Sequence, residues 1–125
     1  MLRIILIIGT GGFLGSVARF FTSKYIQQLF PFSFPIGTLI VNILGSLLLG
    51  VIYGLLDRGE LLSNEMRLFL TVGFCGGFTT FSTFVYENAS LLKDGNFLQS
   101  ALYAGLSLFV GLIALYIGNL FTKLL

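Results

Sequence analysis

The residues best able to do chemistry lie in one apolar run: Gly73-Phe74-Cys75-Gly76-Gly77-Phe78-Thr79-Thr80-Phe81-Ser82-Thr83-Phe84. Two adjacent glycines followed by two β-branched threonines make a poor helix interior, so a break is expected over Gly76 to Thr79. At membrane depth a break frees backbone carbonyls, which are tolerated only where protein, water or an ion satisfies them. Carbonyl oxygens suit a hard cation such as Na⁺. A glycine kink that merely lets helices cross closely is the competing reading. Beyond the break, Phe81 and Phe84 are three apart and share a helix face, with Thr79, Ser82 and Thr83 beside them. Ring edges are electropositive, so two rings with neighbouring hydroxyls can hold an anion; a stripe of core phenylalanines has the same spacing.

Two further faces carry polar groups in apolar surroundings. Thr38, Asn42, Gly45 and Ser46 fall at i, i+4, i+7 and i+8, one side of a helix. A carboxamide in mid-membrane needs a partner, and its NH₂ can donate either to another helix or to an anion. Ser46, Gly50 and Gly54 follow at intervals of four, a ladder of small residues that permits close helix approach. Ser100, Tyr103 and Ser107 share a face in the last apolar stretch, suited to hydrogen bonds within a bundle. Arg19 and Glu87 sit toward the ends of their stretches, where Arg19 can snorkel and neither is placed as a central proton relay.

These residues need elements to hold them, and the composition says in which solvent. Of 125 residues, 56% are hydrophobic and only 10% charged, with a mean hydropathy of +0.99. A soluble domain of this size cannot hide so much apolar surface. Four stretches reach the ~20 residues that a ~30 Å hydrocarbon core demands: about 2–21, 36–56, 68–92 and 97–121. The expected fold is therefore all-α and integral to the membrane, one four-helix domain over 1–125 with the third helix broken. Pro31 and Pro35 mark the first connection, Asp57 to Glu65 the second, and Lys93-Asp94-Gly95-Asn96 the third. Arg3, the apolar run Ile4 to Ile8 and Ser16-Val17-Ala18 could pass for a cleaved signal, but glycines interrupt the apolar region and three more spans follow. The mature chain is expected to start at Met1.

Four spans put both termini on one side, with Arg3, Arg58, Arg67 and Lys123; Arg19, Lys24 and Lys93 fall on the other. So slight a bias does not fix orientation under the positive-inside rule. Insertion both ways, with pairing as an antiparallel dimer, and a single weakly biased orientation are both compatible with it. The net charge of +2 comes without a basic run, which argues against a nucleic-acid partner. There is no His, and Cys75 is the only Cys, which excludes disulfide frameworks and Cys/His metal sites within one chain. Cys75 reads as a buried, inert thiol.

Taken together, the chain resembles the CrcB/Fluc family of fluoride channels. Gly11-Gly12-Phe13-Leu14-Gly15-Ser16-Val17-Ala18-Arg19 looks like the family's first-helix signature, and Gly37-Thr38-Leu39-Ile40-Val41-Asn42 with Gly45-Ser46 looks like the second. The run Gly73 to Phe84 looks like the third and is the most specific; length and four-span layout match as well. The resemblance implies a dual-topology antiparallel homodimer with two pores at its interface, through which fluoride passively leaves the cytoplasm. It implies that Phe81 and Phe84 contact fluoride, that Asn42 is a pore-lining donor, and that Ser82 and Thr83 form a polar track. Tyr103 and Ser107 match less distinctively as pore-side residues. It further implies one central structural Na⁺ held by the carbonyls of Gly76 and Thr79 from both subunits. The expected location is the plasma (inner) membrane of a prokaryote, with lipid as the surrounding partner.

Two other classes compete with this reading. A small dual-topology multidrug exporter has four spans and near this length, but proton coupling needs a carboxylate that the first span lacks. A non-transporting assembly subunit would explain the glycines and leave Asn42 and the Thr/Ser run without a reason. No nucleophile–base pair or metal cluster points to an enzyme.

Overall fold

The computed structural model describes residues 1–30, 33–59 and 63–125. Pro31 lies outside the described residues, as do positions 60–62 of the second connection. The described residues are helical with no strand, in the order α1 (Leu2–Leu29), α2 (Ile36–Asp57), α3 (Asn64–Leu68), a π-helical segment (Phe69–Cys75), α4 (Gly76–Phe78), α5 (Ser82–Lys93) and α6 (Phe97–Lys123). Read as continuous stretches, Leu2–Leu29, Ile36–Asp57, Asn64–Lys93 and Phe97–Lys123 are each long and apolar enough to cross a membrane.

The first helix does not stop near Phe21, as its apolar pattern suggests, but continues to Leu29. Its 28 residues span about 42 Å at 1.5 Å each, more than a ~30 Å core requires. The polar continuation Thr22-Ser23-Lys24 still forms helix because nothing breaks it before Phe30, and Gln27 fastens the end. Gln27 Nε2 donates to the Phe34 carbonyl at 3.1 Å, and its Oε1 accepts the Gly37 N–H at 3.0 Å. One side chain thus caps the start of α2. Tight exits elsewhere use glycine, at φ 72° for Gly59 and φ 81° for Gly95, a region costly for other residues.

The helices alternate in direction. At one end, Arg3 pairs with Glu65 at 2.9 Å, and Arg58 Nη1 donates to the Thr122 carbonyl at 2.5 Å. At the other, Ser33 Oγ donates to Gln99 Oε1 at 3.0 Å. The Arg3–Glu65 pair is exposed and contributes about 0–1 kcal/mol, so it records the layout more than it holds it.

Close packing of glycines does more. The ladder in α2 meets α6 as its spacing suggests: Gly50 lies against the Leu115 backbone, Gly54 against the Thr122 side chain, and Gly118 of α6 against Leu47. The first and third spans cross on a second set. A methyl at Gly77 would sit 2.6 Å from the Gly12 carbonyl oxygen, and one at Gly11 would sit 2.6 Å from that of Phe69.

The third span breaks within the expected Gly76 to Thr79, at the far end of that range: Gly76 keeps helical angles (φ −62°, ψ −36°), and Gly77 is within α4. Helix ends at Thr79, which turns extended (φ −86°, ψ 158°), and resumes at Ser82. Glycine here serves close approach, while the threonines divert the chain. Thr79 Oγ1 donates to the Cys75 carbonyl at 2.8 Å, beside the Thr79 N–H, which keeps its bond to the same oxygen at 3.0 Å. The π-helical Phe69–Cys75 ahead of the break has no signal in the residue pattern.

Candidate functional site

The break is held open by α2. Asn42 Oδ1 accepts the Thr80 N–H at 2.8 Å, and Asn42 Nδ2 donates to the Thr80 carbonyl at 3.1 Å. Both polar groups of one backbone residue are satisfied by one carboxamide, at a depth where an unmade hydrogen bond costs several kcal/mol. This revises the expected role of Asn42. One of its donors is committed to the chain itself, so it pins the break as well as facing the cavity beside it. Thr80 does the same for the next helix: its Oγ1 accepts the Thr83 N–H at 3.2 Å, capping the start of α5. The sequence alone does not single out Thr80, because nothing local shows that a residue some forty positions away completes its backbone.

Redirecting the Thr80 N–H leaves other groups open. Gly77 O accepts from Arg19 Nε at 2.9 Å. Among the described residues, no backbone N–H reaches the carbonyls of Gly76, Phe78 or Thr79. Arg19, read from sequence as able to snorkel, reaches the break, where the freed Gly77 carbonyl accepts a charge-assisted hydrogen bond. The continuation of α1 to Leu29 is what places Arg19 inside the helix rather than at its end.

Around the break lies a cavity of about 440 Å³, lined by Asn42, Gly76, Thr79, Thr80, Phe81, Phe84 and Ser107, with Ser46, Cys75 and Leu108 among the rest. Of the residues singled out from sequence, Asn42, Gly76, Thr79, Phe81, Phe84 and Ser107 meet here. The two rings lie 5.9 Å apart, tilted by 35°, and Phe81 is 76% exposed on the single chain. Ser107 Oγ is buried with no hydrogen-bond partner among the described residues. Cys75 is buried at 3% exposure and has no disulfide partner.

Three expected site residues lie elsewhere. Ser82 is exposed, 3.4 Å from the Thr80 hydroxyl. Thr83 lines a second cavity of about 250 Å³ with Arg19, Lys24, Ser23, Thr38 and Thr80. Two cations and four hydroxyls around one space give it a positive, hydrogen-bonding lining. Tyr103 is fully buried behind Phe84, with ring centroids 5.0 Å apart, and its hydroxyl donates to Glu87 Oε1 at 2.8 Å. Glu87 also accepts from Thr38 Oγ1 at 3.1 Å. Neither the place of Lys24 nor the Thr38–Glu87–Tyr103 link is readable from sequence, since each depends on which helices are neighbours. Among the described residues, no three His, Cys, Asp or Glu cluster to hold a metal, so any cation here would bind to carbonyl or hydroxyl oxygen.

Known proteins match this chain along nearly its whole length. Proteins named "Fluoride-specific ion channel FluC" are similar to it in Chlorobium chlorochromatii (50% identical over 114 residues, 91% of this chain and 88% of that one) and Chlorobaculum tepidum (48% identical, 99% and 98%). One from Campylobacter jejuni is 41% identical over 123 residues, covering 98% of this chain and all of the relative. The sequence profile of the family described as "CrcB-like protein, Camphor Resistance (CrcB)" matches residues 6–119. With its helices, its broken third span and nearly its whole length accounted for, the chain belongs to the CrcB-like family.

Proposed function

We propose that this protein is a passive, fluoride-selective channel of the prokaryotic plasma (inner) membrane that lets fluoride leave the cytoplasm and so protects the cell from it. The observation that carries this reading is the cavity at the break, where Phe81 and Phe84 stand beside Asn42 and an unpartnered Ser107 hydroxyl. Electropositive ring edges and O–H and N–H donors replace an anion's hydration shell without binding it as tightly as a buried cation would. The start of α5 adds its partial positive charge at the same depth. The cavity lined by Arg19 and Lys24 supplies an approach that concentrates anions. The names of the relatives point to the same ion.

The active unit is an antiparallel dimer of two copies inserted in opposite orientations, with two pores at the interface. A highly exposed Phe81 in mid-span, lining the cavity, supports this, because a single chain leaves that ring uncovered. Near-balanced Lys and Arg support insertion both ways. The carbonyls of Gly76 and Thr79, left without backbone donors, fit a structural Na⁺. Bound there, Na⁺ would neutralise converging carbonyl dipoles; the chain's own part is to hold those carbonyls away from their helix through the Asn42–Thr80 pairing.

Fluoride efflux from liposomes containing the purified protein, read with a fluoride electrode, tests the proposal. Rapid fluoride release without chloride release is expected. Liposomes that retain fluoride, or release chloride equally fast, rule it out.

A further inference from the structure

Behind the rings is a polar link that the pore reading does not use. Asn88 lies one turn beyond Phe84 on α5, and its Nδ2 donates back to the Phe84 carbonyl at 2.9 Å. Its Oδ1 accepts from Ser100 Oγ of α6 at 2.8 Å, and Ser100 is buried at 7% exposure. One carboxamide therefore joins the backbone carrying Phe84 to the next helix. From there α6 runs to Tyr103, whose ring packs on Phe84 at 5.0 Å.

We propose that Asn88, held by Ser100, is a positioning residue that sets the angle and depth of the Phe84 ring in the fluoride path. The proposal rests on the reading of Phe84 as a pore ring. Asn88 is not among the residues that line the cavity around the break, and its direct bond to the backbone of Phe84 is what couples it to the ring. The bond back to the carbonyl four residues earlier ties the Asn88 side chain to the backbone of Phe84 itself. The bond from Ser100 then fixes the rotation of α5 about its axis, because a short serine allows little slack. Tyr103 completes the constraint by filling the side of the ring away from the cavity. Phe81, just before the first turn of α5, is largely exposed and lies outside this link.

The experiment places 4-fluorophenylalanine site-specifically at Phe84 and, in a separate sample, at Phe81 of the full-length protein, and records fluorine NMR in detergent. Asn88→Ala is expected to shift or broaden the signal at Phe84 and leave that at Phe81 in place. A ring moved from its working angle is expected to lower fluoride flux roughly tenfold, a change of about 1.4 kcal/mol in the barrier. Ser100→Ala, which cuts the link from α6 and keeps the back-bond within α5, repeats the effect should Asn88→Ala fold poorly. Ser100→Thr, which keeps the hydroxyl, restores both signal and flux. A merely structural role would lower thermal stability without moving the ring's signal. An unchanged Phe84 signal in folded Asn88→Ala and Ser100→Ala overturns the proposal. Phe84→Ile conducting like the parent would instead overturn the pore reading, while the signal at Phe84 still reports whether Asn88 places the ring.

Discussion

Phe81 and Phe84 separate a pore lining from a packing stripe. If ring edges replace water around fluoride, isoleucine cannot substitute for them, because it has similar bulk and no quadrupole. Phe81→Ile and Phe84→Ile should each abolish most fluoride efflux from liposomes. Stability should fall by about 1.5 kcal/mol or less, as for other shape-tolerant apolar exchanges. Phe109, 65% exposed on α6 and away from the cavity, is the control, and Phe109→Ile should leave flux nearly unchanged. Two motif variants that elute as the parent does and conduct normally would reduce the rings to packing. Asn42 makes a different prediction. Asn42→Ala leaves the Thr80 N–H and carbonyl unpaired, and each orphaned group costs about 1–3 kcal/mol. Both thermal stability and flux should drop, unlike the phenylalanine variants, in which flux is the main loss. A thermal scan showing Asn42→Ala as stable as the parent would mean that the pairing with Thr80 contributes nothing.

The first and third spans cross where side chains are absent, and this sets the fate of individual glycines. Gly77→Ala places a methyl 2.6 Å from the Gly12 carbonyl oxygen, a backbone atom that cannot move without shifting α1. Overpacking of this kind costs about 1–3 kcal/mol, and the displaced break should lower flux as well. Gly9 is also helical, yet a methyl added there would meet nothing within 4 Å. Gly9→Ala should therefore be neutral or stabilising by about 0.4–1 kcal/mol through reduced freedom of the unfolded chain. Unfolding midpoints in one detergent rank the two. Equal midpoints would show that the crossing tolerates side chains and that the glycines serve another purpose.

For the whole molecule, the dimer predicts that tags on the C-terminus are accessible from both faces of the membrane in comparable amounts. Added lysines in one set of loops should then bias the distribution strongly. One-sided labelling of the unmodified protein excludes dual topology. The cation makes a separate prediction, because a structural Na⁺ bound to the Gly76 and Thr79 carbonyls should not exchange readily. Prolonged dialysis into a large organic cation should reduce fluoride flux or dissociate the dimer on size exclusion. Unchanged flux and assembly with Na⁺ rigorously removed would count against the site. These measurements are independent, so an antiparallel dimer can stand without its cation.

Solvent and element count were legible in the residues alone, because apolar runs of this length have only lipid to bury against and each must satisfy its backbone by helix. The gathering of Asn42, Phe81, Phe84 and Ser107 was implied by the family resemblance, because residue type alone leaves each of them equally suited to packing or bonding within the bundle. What the tertiary structure decided was which groups became those partners. Within the stretch read as a break, Gly77 seats a helix crossing, and the chain leaves the helix at Thr79, next to Thr80, whose two backbone polar groups Asn42 on another helix takes. Arg19 reads as a boundary residue until the freed Gly77 carbonyl gives it a reason to turn inward. Tyr103 reads as one of three polar groups on a face until Phe84 and Glu87 close over it. Propensity and periodicity act within one helix, whereas a hydrogen bond between helices depends on their register, which is fixed only when all four pack.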